Sequence, residues 1–247
     1  MIGASDFEST YDSLIFDPAM REFYGGGFYN AGYWRAGATT QHEASRALAR
    51  RLIDRIAPGA QSILDAGCGL GETTLCLAES RPSARLTAIN ISQRQLQRSR
   101  ERCPKAGFSQ MDAARLGFAA GSFECVFSLE AAFHFSTRAD FLREAARVLK
   151  PGGSLVLADI LFSPKGWPGD FTVPPGNKLD DPAAYERLLS DCGFESIGIE
   201  DATDACWGGY CRALRKKPQF SLLASQLEEG ISFYLLASAR KPAVTEN

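Results

Sequence analysis

The sequence predicts an α/β protein built on a doubly wound, mostly parallel sheet. Apolar runs of strand length alternate with segments long enough to form crossover helices. These runs are 62–66, 85–90, 123–129 and 154–160. A glycine-rich turn follows the first run, and two more strand-like runs, 194–200 and 231–240, lie near the C-terminus. These last two runs are adjacent strands joined by an insertion, which predicts an antiparallel hairpin at the edge of the sheet.

The helices are predicted from apolar residues that recur every three or four positions. Ala44, Leu48 and Leu52 mark an amphipathic helix that ends before Pro58, and the segment 140–149 marks a second one. After the sheet core, 163–181 contains four prolines and three glycines and is predicted to be a loop. The C-terminal part continues with a helix at 182–192 and a helical insertion at 201–219.

Length and composition set limits on domain number and on partners. The 247 residues, 45% hydrophobic and 23% charged, suit a single domain, 1–247, around one core. A net charge of −2 argues against nucleic acid as a partner. The chain shows no apolar run long enough to span a membrane and no signal pattern at its start, so we expect a cytoplasmic protein. Both a monomer and a homodimer are compatible with this sequence.

Cysteine usage gives no sign of a metal or a disulfide framework. The chain has seven cysteines, an odd number, at irregular spacing and without a C-x-x-C pair. We therefore expect reduced thiols in the core and no structural zinc site.

The strongest motif is the string D-A-G-C-G-L-G, residues 65–71, which directly follows the first predicted strand. Glycines allow a tight turn and let a ligand approach the backbone. A dinucleotide-binding turn has the spacing G-x-G-x-x-G, whereas the third glycine here comes one residue early. Asp65, two residues before the first glycine, would repel a pyrophosphate but suits the ammonium group of an amino-acid ligand.

At these residues the chain resembles the class I S-adenosylmethionine-dependent methyltransferases, over roughly residues 29–162. The resemblance implies a seven-stranded Rossmann-like sheet and S-adenosylmethionine as the cofactor, with S-adenosylhomocysteine as its product. It places Asp65 near the ammonium of the cofactor, and Gly67, Cys68 and Gly69 against the cofactor. The implied segments are an N-terminal lid at 1–40, a cofactor-binding core at 41–162, and a C-terminal half at 163–247 with lid insertions at 163–181 and 201–225.

Further cofactor contacts are implied by motifs that fall in the family's order. Asp112 matches the acidic loop after the third strand and would accept a hydrogen bond from the adenine amino group. The amide of Ala113 would donate to the adenine ring. Leu129 ends the fourth strand, which lies under the cofactor in this family.

The second strand departs from the family pattern because it ends in Asn90, where most members have an acid that binds the ribose. An amide can accept from one hydroxyl and donate to another. The run around Asn90 and Ile91 is similar to mycolic-acid cyclopropane synthases and to natural-product sugar O-methyltransferases. That similarity implies a ribose contact for Gln95. In the same group, a tyrosine matching Tyr29 contacts the carboxylate end of the cofactor.

The catalytic candidates follow the fourth strand, at the edge where open α/β sheets bind ligands. They are Glu130, which begins the segment 130–135, and His134, one of two histidines in the chain. The sugar O-methyltransferases have a histidine at the matching place and an aspartate matching Asp159. A neutral imidazole with a pKa near 6.5 can take a hydroxyl proton, while Asp159 fixes its tautomer. The alternative is that His134 only shapes the pocket or orients the substrate.

Together these features predict methylation of a small, lipophilic or aromatic acceptor of the natural-product type, with oxygen favoured over nitrogen or carbon. Trp167, Phe171, Trp207 and Tyr210 supply apolar surface in the predicted lid. The same fold also leaves open C-methylation, cyclopropanation or a cofactor-dependent cyclisation. A non-catalytic S-adenosylmethionine-binding protein is another alternative. An NAD-dependent oxidoreductase is disfavoured by the glycine spacing and by the missing acid on the second strand.

Overall fold

The computed structural model describes residues 12, 13, 15–166 and 173–243, and its centre is a seven-stranded sheet. The strands are β1 Ser62–Ala66, β2 Arg85–Asn90, β3 Gly107–Gln110, β4 Phe123–Leu129, β5 Leu149–Phe162, β6 Glu195–Asp201 and β7 Ile231–Arg240. Their order is β3-β2-β1-β4-β5-β7-β6. The chain thus reverses its direction of growth at β1 and β4, which creates a crevice at their carboxyl ends.

The strand pairings confirm the predicted fold class. β1 pairs in parallel with β2 and β4, β2 with β3, and β4 with β5. β7 runs antiparallel to both β5 and β6, so six strands share one direction and only β7 of the C-terminal hairpin opposes it. Register in the centre aligns Asp65 with Phe127 and Leu129 with Ala158, which brings the ends of β1, β4 and β5 together.

Helices cover both faces of the sheet. They are α1 Pro18–Tyr24, α2 Gln41–Ile53, α3 Glu72–Ser80, α4 Gln93–Arg102, α5 Arg138–Val148, α6 Pro182–Asp191, α7 Gly209–Arg215 and α8 Ser221–Glu228. Thr40 and Glu43 form a capping box at the start of α2, and Thr137 and Asp140 form one at α5. These caps satisfy backbone N–H groups that the helices leave unpaired at their first turns.

Two apolar cores lie on opposite faces of the sheet, and successive strand residues alternate between them. Ile63 and Phe127 pack with Leu48 of α2 on one face. Leu64 and Phe141, the latter from α5, pack on the other face. This alternation explains why the central strands read as continuous apolar runs, because both of their faces are buried.

The structure differs from the sequence predictions in the N-terminal region, at the start of β5 and after β6. The N-terminal region contains α1, which Asp17 caps at its start and Gly25 ends at φ 63°. β5 begins at Leu149 rather than Ser154. The insertion after β6 is a π-helical turn, Asp204–Gly208, followed by α7 and α8. Short helices of one or two turns leave too few apolar repeats to give a clear period.

No helix in the described part of the chain is long and apolar enough to cross a membrane. The division into an N-terminal lid, a core and lid insertions stays a prediction.

Candidate active site

The glycine-rich turn joins β1 to α3, and its three glycines differ in what surrounds them. All have positive φ, 83° at Gly67, 54° at Gly69 and 88° at Gly71. A Cβ on Gly67 would lie 2.4 Å from Cβ of Ala131, and one on Gly71 would lie 2.8 Å from Cα of Ser99. A Cβ on Gly69 would meet no described atom within 4 Å. Packing therefore requires Gly67 and Gly71, whereas Gly69 leaves its backbone open to a ligand. The expected contact of Gly67 with the cofactor stays a prediction.

Asp65 lies directly beneath this turn, at the end of β1. It is buried, and its carboxylate accepts a hydrogen bond from the Thr74 hydroxyl at 2.7 Å. Burial raises the pKa of Asp65 to about 7. Cys68, also buried, has the pKa of its thiol raised for the same reason. A buried carboxyl held by one neutral hydroxyl is ready to stabilise a cation brought by a ligand.

The end of β2 brings Asn90 and Gln95 together beside the glycine turn. The Asn90 amide nitrogen donates to Oε1 of Gln95 at 3.0 Å and, at 3.5 Å, to the carbonyl of Gly69. Its amide oxygen accepts from the backbone N–H of Ser92 at 3.0 Å. The next residue, Ile91, is half-buried, and its carbonyl accepts from a glutamine side chain at 2.8 Å. The structure thus assembles the predicted ribose residues into one polar cluster.

The loop after β3 lies next to this cluster, because the Met111 N–H donates to the Asn90 carbonyl at 3.0 Å. Asp112 is exposed, and its carboxylate accepts from the backbone N–H of Ala114 at 2.9 Å. Ala113 is buried. The loop is therefore held at the edge where the resemblance places the adenine.

A small cavity of about 40 Å³ lies between the glycine turn, the end of β4 and the N-terminal segment. It is lined in part by Ile15, Tyr29, Cys68, Gly69, Leu129 and Glu130. The Tyr29 hydroxyl donates to the carbonyl of Ile15, and burial raises the pKa of this tyrosine to about 12. The N-terminal segment therefore covers the glycine turn and the end of β4.

Glu130 stands at the end of β4 in a backbone conformation that is rare for a residue other than glycine, with φ 51°. Its carboxylate accepts from the Ala31 N–H at 2.7 Å and from the Tyr234 hydroxyl. Burial raises its pKa to about 7. Sequence reasoning missed Tyr234, because an aromatic residue in an apolar strand looks like core. Positive φ at a cavity-lining carboxylate is typical of a functional position.

His134 does not have the environment that the sequence suggested. It lies in a one-turn helix after β4, with its ring centroid 3.9 Å from that of Phe133. Burial, with a smaller contribution from the positive charge of Arg138, lowers its pKa to about 3. The expected pKa near 6.5 is therefore wrong, and the imidazole is a weak proton acceptor. Within the described chain, His134 is not among the residues that line the small cavity.

Asp159 does not orient His134 either. Its carboxylate accepts from Arg138 Nε at 2.7 Å, from the Tyr185 hydroxyl at 2.8 Å and from the Ile160 N–H at 2.9 Å. None of its described hydrogen bonds goes to His134. The buried charge of Asp159 needs a cation, and Arg138 supplies it. The pairing of Asp159 with His134, expected from the resemblance, is thus corrected.

The aromatic residues of the insertion after β6 pack inward. Trp207 and Tyr210 are buried. The Trp207 ring N–H donates to the Leu227 carbonyl at 2.9 Å, and the Tyr210 hydroxyl lies 2.8 Å from that of Tyr24 in α1. Trp167 and Phe171 lie outside the described residues. The insertion and the N-terminal segment are therefore joined above the carboxyl edge of the sheet.

The residues present fit S-adenosylmethionine by their chemistry. Gly69 offers an open backbone, Asn90 and Gln95 offer polar groups for hydroxyls, and the buried carboxyl groups of Asp65 and Glu130 are available to a cationic ligand. The described residues contain no group of three or more acidic, histidine or cysteine side chains placed to hold a metal ion.

Comparison with known proteins also indicates a methyltransferase. Residues 64–157 match the family described as "Methyltransferase domain". The 27-O-demethylrifamycin SV methyltransferase of Amycolatopsis mediterranei is 31% identical to this chain, over 85% of this chain and 89% of its own. The erythromycin 3''-O-methyltransferase of Saccharopolyspora erythraea is 29% identical, over 88% and 84%.

Solved structures share the fold at lower identity. The geranyl diphosphate C-methyltransferase of Streptomyces coelicolor A3(2), solved with S-adenosyl-L-homocysteine, has a TM-score of 0.75 and 17% identity, covering 96% of this chain and 98% of its own. The [4+2]-cyclase SpnF also has a TM-score of 0.75, with 22% identity over 95% and 96%. The matches favour methyl transfer over an NAD-dependent, cyclising or non-catalytic function. The chain belongs to the S-adenosylmethionine-dependent methyltransferases of the class I fold.

Proposed function

We propose that this enzyme transfers the methyl group of S-adenosylmethionine to a hydroxyl group of a small natural-product acceptor. The two bacterial relatives are named for rifamycin and erythromycin O-methylation, which supports an acceptor of comparable chemistry. The observation that carries the proposal is Glu130, a carboxylate with a pKa near neutrality that lines the cavity beside the glycine turn. A hydroxyl acceptor needs such a proton acceptor, whereas an enol or a neutral amine needs it less.

Glu130 is the proposed proton acceptor. When bound, S-adenosylmethionine supplies a methyl group on a positively charged sulfur, which leaves as the neutral thioether. The ionised Glu130 takes the hydroxyl proton as the acceptor oxygen bonds to the methyl carbon. Hydrogen bonds from Ala31 and Tyr234 hold one oxygen of this carboxylate, so its direction is fixed before the substrate binds. A pKa near the working pH suits a general base.

His134 is proposed to orient the acceptor rather than to remove its proton. With a pKa lowered to about 3, its ring stays neutral in the physiological range and gains little by accepting a proton. Its segment is fixed from below, since Asn177 donates to the carbonyls of Phe133 and Phe135 at 2.9 and 2.7 Å. Arg138 and Asp159 act through this support and do not touch the reacting atoms.

The cofactor residues divide between its two ends. We propose that Asn90 and Gln95 bind the ribose hydroxyls and that Asp112 and the Ala113 amide bind the adenine. Ile91 and Leu129 would provide apolar walls for the nucleoside. At the other end, Tyr29 would face the carboxylate of the cofactor, and Asp65 would stabilise its ammonium group. The adjoining turn of Gly67, Cys68 and Gly69 would contact the cofactor. The proximity of these groups at one edge of the sheet supports this assignment.

The setting proposed for the enzyme is the cytoplasm, with a small-molecule acceptor and no nucleic-acid partner, as a monomer or a homodimer. All seven cysteines are unpaired and buried, as expected in a reducing compartment. The net charge of −2 supports the absence of a nucleic-acid partner.

The test is a methylation assay with purified enzyme, S-adenosylmethionine and a set of macrocyclic and polyketide alcohols. Each alcohol is paired with an analogue whose hydroxyl is replaced by hydrogen. We expect mass spectrometry to show the gain of one methyl group on an alcohol but not on its partner, with one S-adenosylhomocysteine formed per product. Methylation of the hydroxyl-free partner would indicate a carbon acceptor, and rearrangement without S-adenosylhomocysteine would indicate a cyclase. Either result contradicts the proposal.

A further inference from the structure

A carboxylate from the N-terminal segment lies on the polar cluster at the end of β2. Asp12 accepts hydrogen bonds from Nε2 of Gln95 at 2.7 Å and from the Ser92 hydroxyl at 3.0 and 3.1 Å. Both donors are buried. Asp12 is far from both donors in sequence, so no motif around β2 and α4 predicts this contact.

The position of Asp12 is held by its neighbours in the same segment. The ring of Phe16 lies under the Arg94 guanidinium of α4, with 3.7 Å from its carbon to the ring centroid. Ile15 is buried, and its carbonyl accepts from the Tyr29 hydroxyl. The segment is thus attached to α4 through Phe16 and to Tyr29 through Ile15.

The end of β2 is short of acceptors for a ribose. In sheets of this type an acid about 20 residues after the glycine turn binds the ribose hydroxyls, but Asn90 stands there. The Asn90 amide oxygen is already engaged by Ser92 N–H, and Gln95 Oε1 by the Asn90 amide. The two hydrogens of a ribose diol therefore lack a charged acceptor from β2 itself.

We propose that Asp12 supplies, from the N-terminal segment, the carboxylate that β2 lacks, and that it accepts hydrogen bonds from the ribose hydroxyls of bound cofactor. This inference rests on the proposed cofactor site. Ser92 and Gln95 fix the Asp12 carboxylate beside Asn90. Asp12 and Asn90 together would then bind the ribose hydroxyls in place of the usual acid. Asp12 belongs to the same segment as Ile15, which lines the cavity beside the glycine turn.

A different role for the same contact would have the opposite effect. If Asp12 only filled the ribose position in the free enzyme, the cofactor would have to displace it, and removing Asp12 would strengthen binding. The ribose contact is favoured because the amide oxygens of Asn90 and Gln95 are already engaged, and because a carboxylate pairs well with hydroxyl donors.

The experiment is calorimetric titration of the full chain and of Asp12→Ala with two ligands. One ligand is S-adenosylhomocysteine, and the other is its analogue lacking both ribose hydroxyls. We expect Asp12→Ala to raise the Kd for S-adenosylhomocysteine about tenfold or more while leaving the Kd for the analogue unchanged. Unchanged analogue binding also shows that the variant is folded. The matched control is Glu22→Ala, which removes an exposed carboxylate from α1 and should leave both Kd values unchanged.

Two results would overturn the inference. Equal or tighter binding of S-adenosylhomocysteine by Asp12→Ala would make Asp12 a competitor of the ribose. An equal loss for both ligands would make it a part of the cover without a ribose contact. Failure of the unaltered chain to bind S-adenosylhomocysteine at all would instead contradict the proposed cofactor site.

Discussion

Asp159 and Arg138 form an ion pair of 2.7 Å in the interior, with side chains 0% and 1% exposed. The guanidinium also donates to the backbone carbonyls of Ile160, at 3.0 Å, and of Asn177. It therefore joins β5, the start of α5 and the loop before α6. We propose that Asp159, through this network, holds the segment that carries His134 in place.

We expect Asp159→Asn to lower the free energy of unfolding by about 3–5 kcal/mol, because Arg138 would remain buried without its counter-charge. Chemical denaturation monitored by circular dichroism measures this change. The matched control is Glu229→Gln, which breaks the exposed ion pair with Lys165 and should have little effect. If Asp159→Asn keeps full stability and loses only kcat, Asp159 has a catalytic partner after all.

The glycine turn gives a second prediction, because Gly67 and Gly69 differ in what surrounds them. Gly67→Ala should destabilise the protein by about 2 kcal/mol or more, since its Cβ overlaps that of Ala131. Gly69→Ala should cost about 1–2 kcal/mol for its positive φ alone. It should nevertheless weaken binding of S-adenosylhomocysteine about tenfold or more, because the new methyl group stands on the open backbone.

Thermal unfolding and calorimetry separate these two effects. Each variant serves as the control for the other, since Gly67→Ala is expected to lose mainly stability and Gly69→Ala mainly affinity for S-adenosylhomocysteine. Normal cofactor binding by Gly69→Ala would show that the ligand approaches elsewhere.

The central strands could be predicted closely from the sequence, whereas the site could be predicted only in part. Runs such as 62–66 and 123–129 are buried on both faces, so their boundaries are marked by the apolar pattern itself. Asn90 and Gln95 were implied by the resemblance, and the structure brings these two residues, five positions apart, together. Local patterns of this kind carry information about contacts within one turn of helix or one loop.

The contacts that decided the catalytic assignments are not local. Arg138 binds Asp159 across 21 positions, and Tyr234 reaches Glu130 across 104. The lowered pKa of His134 depends on burial, which no motif around it reports. A buried aspartate in an apolar strand does predict that a partner exists, but not which residue it is.

A third prediction concerns pH and Asp65. Its folded-state pKa, about 7, lies above the usual value of 3.8, so the folded protein binds the extra proton between these limits. The contribution of Asp65 to stability is therefore greatest at the acidic side of this window and falls as the pH rises toward about 7. Asp65→Asn should remove on the order of 2–4 kcal/mol of this pH dependence in the cofactor-free enzyme.

Thermal midpoints measured from pH 5 to pH 8 test the effect of Asp65. Glu130, whose pKa is also raised to about 7, contributes in the same direction, so Asp65→Asn should flatten the curve only in part. Equal slopes for the variant and the unaltered chain would show that Asp65 is ionised in the folded state.

The last prediction separates Glu130 from His134 as the proton acceptor. Glu130→Gln should lower kcat by about 10²–10⁴ while leaving the affinity for S-adenosylhomocysteine nearly unchanged. The rise of kcat with pH near 7, caused by ionisation of Glu130, should disappear. His134→Ala should mainly raise KM for the acceptor and keep that rise, because its imidazole is already neutral throughout this range.

Tyr234→Phe provides a control, because a purely structural role of Glu130 would not change the pH profile of kcat in this variant. The Tyr234 hydroxyl donates to the Glu130 carboxylate and lowers its pKa against the larger effect of burial. Removing the hydroxyl should therefore shift the rise of kcat to higher pH, while kcat at its plateau stays within about tenfold. If the rise instead persists in Glu130→Gln and vanishes in His134→Ala, then His134 is the base. Its pKa in the enzyme–substrate complex must then lie well above that of the free enzyme.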